Sequence, residues 1–320
     1  MSVMKFQFEN FLSSRENVIC VDGAFDAKIQ LSHWYGNKSP VELKADTTTQ
    51  MAFNLIEHQE KEKFLKGINV VSNNHFDADG VLSAFVLLNP EFSLKNKTSL
   101  VNISITGDFS EFTTEDALKA NIVIESFADE DKSIFKDIFS LKDYPSAMQI
   151  IYERTFKLIP KIISQIDEFE NIWLEEYNYF EKSEKSFGIR ESVVSNYDDC
   201  NLSVVESNFP LHSVAKFMNA ENDILLSVVR GEEGNTYELD YKYYTWFDTL
   251  RPKKIKRKNF ESLAQKLNQI ELNNKGTWQI IGNNPILDWN YRLIYADKNL
   301  DLIPSGLKVY EIENVLFEHL

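Results

Sequence analysis

One short segment of the chain places an imidazole and two carboxylates at alternate positions. His75, Asp77 and Asp79 follow one apolar run and precede another. In an extended backbone, residues i, i+2 and i+4 point to the same face, so these three side chains could converge on one point. Carboxylates gathered at one point repel each other unless a cation lies between them, and oxygen ligands combined with imidazole suit a hard or borderline divalent cation. The segment therefore predicts a divalent metal site, with Mn²⁺ as the expected ion and Mg²⁺ as the alternative.

The flanking residues predict the elements that hold this segment. Residues 68–72 are apolar and rich in β-branched side chains, which indicates a buried strand. Gly80 permits a tight turn, and residues 81–88 predict a buried helix that ends before Pro90. Open α/β sheets bind ligands at such strand-to-helix junctions, at the carboxyl ends of their strands. The alternative is an acidic turn in which Asp79 only caps the helix.

Two further acidic residues end predicted strands. Residues 18–21 predict a strand followed by Asp22, and residues 99–106 predict another that ends just before Asp108. The carboxyl ends of neighbouring parallel strands meet at one edge of a sheet, so both aspartates are candidate metal ligands. A simple turn position is the alternative for Asp108.

Asp26 and His33 follow in a polar loop and are secondary candidates for the same site. A lone histidine beside a tryptophan, as at His33, is more often packed or hydrogen-bonded than a metal ligand.

The segment at 75–84, HFDADGVLSA, resembles the first motif of the DHH phosphoesterase superfamily. Members of that superfamily hydrolyse phosphoester or phosphoanhydride bonds with a pair of divalent cations, usually manganese. The resemblance implies that His75, Asp77 and Asp79 bind the metals, that Asp108 bridges them, and that all four serve catalysis. The Asp-His-His triplet of the family does not occur in this sequence, so the resemblance is to a divergent relative.

In DHH proteins a C-terminal domain holds the phosphate of the substrate. Arg230 and Arg292 each close a predicted strand in that part of this chain, and guanidinium groups bind phosphate bidentately. His212, which follows a predicted strand and opens a helix after Pro210, is the remaining candidate for a third motif. The resemblance thus implies substrate binding by these three residues, and surface ion pairing is the alternative for the arginines.

The order of predicted elements indicates an α/β fold with two domains. Residues 1–194 alternate strands with helices, which predicts a parallel sheet, and include a long helical segment at 147–185 that Pro160 would kink or split. Residues 195–320 predict a smaller α+β domain, and the resemblance to DHH proteins implies that this domain binds substrate. Further helices are predicted at 48–66, 113–140 and 260–272, a loop at 31–46, and further strands at 203–206, 224–229, 236–243, 278–282 and 291–295.

Composition limits the class of function. The 320 residues carry 34 Lys and Arg against 49 Asp and Glu, a net charge of −15. The negative electrostatic potential of such a chain repels polyanions and argues against broad binding to duplex nucleic acid. It permits a small phosphorylated substrate held by a metal. The basic run RPKKIKRK at 251–258 is either a solvated loop or an anion contact.

Cysteine usage and hydropathy indicate a cytoplasmic protein. Cys20 and Cys200 form neither a disulfide framework nor a zinc-ribbon spacing. No signal peptide and no apolar run long enough to span a membrane is visible in the sequence.

Three functions remain after these limits. The leading hypothesis is a metal-dependent phosphoester hydrolase acting on a small phosphorylated or nucleotide substrate. The alternative is a non-catalytic nucleotide-binding, metal-binding or interaction protein derived from the same fold. A nuclease is the third, and the negative net charge counts against it. Metal stoichiometry discriminates between the first two, because two ions per chain favour hydrolysis.

Overall fold

The computed structural model describes residues 4–141, 143–252 and 256–320, which form two compact units. The first unit contains the chain up to Asn178 together with Phe247–Arg251, and the second contains Tyr179–Trp246 and the chain from Pro252 onward. A parallel sheet with helices in the first unit and a mixed sheet in the second confirm the α/β prediction. The predicted domain boundary after residue 194 lies within a strand of the second unit.

A parallel sheet of four short strands, in the order β1-β4-β2-β3, forms the base of the first unit. The strands are β1 (Lys5–Phe6), β2 (Val18–Val21), β3 (Ile29–Leu31) and β4 (Val70–Ser72). All residues of β2 and β4 are buried, and all but Ser72 are apolar. Because Val21 pairs with Leu31 and Cys20 with Ser72, the carboxyl ends of β2, β3 and β4 lie side by side.

Helices form much of the first unit. They are α1 (Thr48–Glu57), α2 (Lys61–Leu65), α3 (Ala78–Leu88), α4 (Pro90–Lys95), α5 (Lys97–Phe109), α6 (Glu115–Ser126), α7 (Lys136–Leu141), α8 (Tyr144–Ser164) and α9 (Glu170–Gly188), and α9 continues into the second unit. Helix α1 begins with a capping box, in which Thr47 and Gln50 exchange side-chain to backbone hydrogen bonds. Helices α1 and α3 pack against strands of the sheet. Helix α3 is buried from Ala78 to Leu87 and packs against α1 and α5, so it is the central helix of the unit.

The prediction of a strand at residues 99–106 is wrong, because this segment lies in α5. Its β-branched residues suggested a strand, but α5 packs against α1, α3 and α6. A helix that is covered on several sides carries apolar residues without a clear helical period, and tertiary packing then overrides local propensity.

The long helical segment predicted at 147–185 is present as two helices. Pro160 lies inside α8 without ending it, and the chain leaves the helix at Gln165. The helices predicted at 48–66 and 113–140 are likewise each divided in two, as α1 with α2 and α6 with α7.

A six-stranded mixed sheet, in the order β5-β6-β7-β8-β10-β9, forms the second unit. Its elements are β5 (Val193–Tyr197), β6 (Leu202–Ser207), α10 (Ser213–Asn219), β7 (Ile224–Val229), β8 (Thr236–Tyr241), α11 (Glu261–Ile270), β9 (Thr277–Ile281), β10 (Arg292–Ala296) and α12 (Val309–His319). Alternate residues of the strands, such as Leu202 and Val204, share a core with α11 and α12. No helix in the described part of the chain is long and apolar enough to cross a membrane.

Candidate metal centre

The carboxyl ends of β2, β3 and β4 supply the side chains of the candidate metal centre. Asp22 follows β2, His33 lies two residues after β3, and His75, Asp77 and Asp79 lie between β4 and the first turn of α3. They form two groups that share Asp22. In each group the potential ligand atoms lie within 4.8 Å of one another. We call Asp22–His33–Asp79 the His33 cluster and Asp22–His75–Asp77 the His75 cluster.

Asp22 faces both clusters with different oxygen atoms. Its Oδ1 lies 3.2 Å from Nε2 of His33, and its Oδ2 lies 3.2 Å from Nε2 of His75. The residue is buried, and its φ of 49° lies in the left-handed region, where aspartate is tolerated better than most side chains. A backbone conformation of this kind at the end of a strand aims the carboxylate between the two histidines. Asp22 could therefore contribute one oxygen to each cluster.

His33 is fully buried, and both of its ring nitrogens have a defined environment. Nδ1 lies 2.6 Å from the carbonyl oxygen of Asp46, which can only accept, so Nδ1 carries a proton. Nε2 then faces three carboxylates, at 3.2 Å from Asp22, 3.3 Å from Asp108 and 3.8 Å from Asp79. Among the described residues, Nε2 has no hydrogen-bond partner of suitable geometry. Metal-binding histidines show this pattern, in which a backbone carbonyl holds one nitrogen and the other points at the ion.

The N-terminus of α1 anchors Asp79. The backbone N–H of Thr48 donates to its Oδ2 at 2.6 Å, and that of Thr49 donates to its Oδ1 at 2.7 Å. The first N–H groups of a helix have no partner within the helix, and the positive end of the helix dipole favours a carboxylate. These bonds fix the carboxylate and leave a lone pair on each oxygen for a cation.

The His75 cluster is the more exposed of the two. The side chains of His75 and Asp77 are 25% and 32% exposed, and His75 Nε2 lies 2.9 Å from Asp77 Oδ2. The other oxygen of Asp77 accepts the N–H of Gly80 at 2.8 Å and caps α3, a role that the alternative interpretation gave to Asp79. The Tyr152 hydroxyl donates to the carbonyl oxygen of His75 at 2.7 Å, which fixes the backbone of the turn.

Two helices add carboxylates to the centre. Asp108 lies in the last turn of α5 and brings its Oδ2 to 3.3 Å from His33 Nε2, although it does not follow a strand as predicted. Glu125 of α6 accepts the N–H of Ala78 at 2.7 Å. The sequence offered no signal for Glu125, because one glutamate in an amphipathic helix is an ordinary surface residue.

Burial and mutual repulsion raise the pKa of three of these carboxyl groups. Burial, followed by the charge of Asp22, raises the pKa of Asp79 to about 6. Burial, followed by the charges of Asp79 and Asp22, raises the pKa of Asp108 well above its usual range. Burial, followed by the charge of Asp77, raises the pKa of Glu125 to about 8. The centre therefore retains protons that a cation would displace.

For His33 and His75, burial lowers the pKa and the neighbouring carboxylates raise it. Burial alone would lower the pKa of His33, but Asp22 Oδ1 at 3.2 Å from Nε2 and the charges of the nearby carboxylates raise it. Burial also opposes the charge of Asp77 and the hydrogen bonds to Asp22 and Asp77, which together raise the pKa of His75 well above its usual value. For Asp22, burial is outweighed by the Nε2 atoms of His33 and His75, each 3.2 Å from one of its oxygens, and its pKa lies below its usual range.

The donor set fits a pair of hard or borderline divalent cations. The His33 cluster, with Asp108 beside it, would hold one ion, and the His75 cluster would hold the other, with Asp22 shared. The buried atoms His33 Nε2 and Asp108 Oδ2 lack hydrogen-bond partners among the described residues, which is expected of ligand atoms.

The three residues predicted to bind substrate lie in the second unit. His212 caps α10 through its ring. Arg230 donates to the carbonyl oxygen of Glu191 at 2.7 Å. Arg292 opens β10, where the sequence suggested that it closes a strand, and its Nε lies 3.2 Å from Glu238 Oε1. The role of these residues in substrate binding stays a prediction.

The basic run at 251–258 is divided between the two units. Arg251 belongs to the first unit and pairs with Glu111. Arg257 is buried in the second unit and donates to two backbone carbonyls. Residues 253–255 of the run lie outside the described residues. An anion contact by the run stays a prediction.

Comparison with known proteins gives a family but no established function. The solved structure of a pGpG-specific phosphodiesterase, PggH from Vibrio cholerae, is similar over 94% of this chain and 82% of that chain, with 12% sequence identity and a TM-score of 0.38. A similarity at that level carries no functional inference. No curated protein matches the sequence. The matching family model covers residues 4–316, and the chain belongs to this family of unknown function (DUF6687).

Proposed function

We propose that the protein is a metal-dependent phosphoester hydrolase with two divalent cations. The observation that supports this most strongly is Asp22, whose two oxygens face His33 and His75 at equal distances of 3.2 Å. Two cations held side by side by a shared carboxylate would make a two-metal site of the kind that phosphatases and nucleases use. The ions would be Mn²⁺, or alternatively Mg²⁺.

Bound at these clusters, divalent cations would make hydroxide available near neutral pH and offset charge on a phosphoryl group. The chain holds the ligands in advance, because α1 fixes Asp79, the Asp46 carbonyl fixes His33, and Tyr152 fixes the backbone at His75. Ligands that are already oriented need no reorganisation when a substrate binds. Since the His75 cluster is the exposed one, we expect the substrate to approach from its side.

The choice of a phosphoester rests on the sequence. The segment at 75–84 resembles the first motif of the DHH phosphoesterases, and its His75, Asp77 and Asp79 all lie in the two clusters. The net charge of −15 favours a small phosphorylated substrate over a long polyanion. We propose Arg230 and Arg292 as phosphate contacts of the second unit.

The experiment combines metal analysis with turnover. Purified protein loaded with Mn²⁺ should contain two ions per chain and hydrolyse members of a phosphomonoester and phosphodiester panel. Asp22→Asn should lose both ions and reduce hydrolysis at least about 100-fold, because Asp22 belongs to both clusters. Asp26→Asn is the matched control, since Asp26 lies in the same loop but is exposed and pairs with Lys38. Full metal content and activity in Asp22→Asn would refute the proposal.

A second outcome would favour the alternative function. One weakly held ion per chain, without turnover of any substrate in the panel, would indicate a non-catalytic metal- or nucleotide-binding protein.

A further inference from the structure

A segment from a distant part of the sequence packs against His33. Residues Phe247–Arg251 follow β8 in the chain but belong to the first unit, and we call them the strap. The Phe247 ring lies 4.1 Å from the imidazole of His33, centroid to centroid, and 5.4 Å from the ring of Phe109. The strap therefore covers the imidazole and limits its rotation.

The strap also holds the residue that orients the imidazole. The carbonyl oxygen of Asp46 accepts the Nδ1 proton of His33, and the carboxylate of Asp46 is bound by the strap. The backbone N–H groups of Leu250 and Arg251 donate to its Oδ1 at 2.7 and 3.1 Å, and Arg251 Nε donates to its Oδ2 at 3.1 Å. Arg251 also pairs with Glu111. Asp46 is thus held at its backbone by His33 and at its side chain by the strap.

A third contact holds the backbone of His33 itself. The N–H of Asp248 donates to the carbonyl oxygen of His33. The carboxylate of Asp248 accepts hydrogen bonds from Asn37 Nδ2 at 2.9 Å and from Lys44 Nζ at 2.7 Å. In the sequence, both partners belong to the segment that joins His33 to α1. The strap therefore fastens the loop that carries His33 at several points.

We propose that the strap positions His33 and thereby sets the metal affinity of the His33 cluster. The inference rests on the proposed metal site and adds a group of positioning residues to it. The strap contacts His33 and Asp46, the residue whose carbonyl oxygen orients His33. Its loss should therefore weaken the site that contains His33 more than the other site. Partners that orient a ligand in this way typically change metal affinity 10- to 100-fold.

The test is a calorimetric Mn²⁺ titration of the full chain. Wild type should show two binding events, and His33→Ala identifies the one that depends on His33. Arg251→Met should weaken that event about 10-fold or more and leave the other within about threefold. Arg154→Met is the matched control. Arg251 pairs with Asp46 and lies over the Phe109 ring, and Arg154 likewise pairs with an aspartate and lies over the Phe135 ring in the same unit.

A second strap variant separates positioning from general destabilisation. Phe247→Leu keeps an apolar side chain beside His33 and should weaken the same event by a smaller factor. Unchanged affinities in both strap variants, or equal weakening of both events, would overturn the inference and leave the proposed metal centre standing. If the wild-type protein binds no Mn²⁺, both the strap inference and the proposed metal centre are overturned. This outcome is recognised from the wild-type titration alone, before any variant is compared.

Discussion

The metal-free protein should lose stability as the pH rises, and Glu125 should account for a large part of that loss. Burial and the charge of Asp77 raise the pKa of Glu125 from 4.5 to about 8. A carboxyl whose pKa is higher in the folded state stabilises the fold while it is protonated. Its contribution is complete below about pH 4.5 and is lost as the pH rises through about 8.

The magnitude follows from the two pKa values. The full difference between 4.5 and about 8 corresponds to on the order of 5 kcal/mol, of which on the order of 3 kcal/mol falls between pH 5 and pH 8. Glu125→Gln cannot ionise, and its side-chain oxygen can still accept the N–H of Ala78. Relative to this variant, the free energy of unfolding of wild type should fall by that amount over the interval.

The assay is urea denaturation of EDTA-treated protein at pH 5, 6.5 and 8. Glu115→Gln is the control, because Glu115 lies on the same helix and is exposed. Repeating the series with Mn²⁺ should shrink the difference between wild type and Glu125→Gln, since a cation beside Asp77 offsets the charge that raises the pKa of Glu125. A difference that stays constant from pH 5 to pH 8 in the metal-free protein would refute the electrostatic reasoning.

Two further substitutions test other parts of the centre. Asp108→Asn should raise the melting temperature of the metal-free protein at neutral pH, because it removes a carboxyl that burial and the charges of Asp79 and Asp22 keep from ionising in the folded state. The same substitution should reduce the stabilisation gained from Mn²⁺. Differential scanning fluorimetry with and without Mn²⁺ measures both effects, and a melting temperature that falls without metal would contradict this reasoning. Gly80→Ala should lower the free energy of unfolding by about 1–3 kcal/mol and weaken Mn²⁺ binding. The added Cβ would lie 2.2 Å from Asn73 Nδ2 and 3.0 Å from Asp77 Oδ1, so these side chains would have to move. Unchanged stability and Mn²⁺ affinity would mean that the turn relaxes without cost.

Much of the centre could be predicted from local sequence because strands and their carboxyl ends leave local signals. The short apolar runs before Asp22 and His75 indicated strands, and parallel pairing brings the ends of those strands together. The alternation of His75, Asp77 and Asp79 then indicated ligands. These inferences need only the strand pattern and the residues that follow it.

The remaining parts depend on tertiary contacts. The sequence supports His33 only as a secondary candidate, because nothing near it in sequence shows that β3 lies beside β2. The sequence predicts a strand before Asp108 instead of a helix that contains it, because α5 is covered on several sides and lacks a clear helical period. Neither Glu125 nor the strap has a local signal, since each acts through residues far away in the chain.

The measurement that tests the central claim most directly is anomalous diffraction from crystals grown with Mn²⁺. Two anomalous peaks about 3.5–4 Å apart are expected. One ion should be bound by His33 and the other by His75, and Asp22 should bind both. A single peak, or peaks that do not contact Asp22, would contradict the account of a shared two-metal centre.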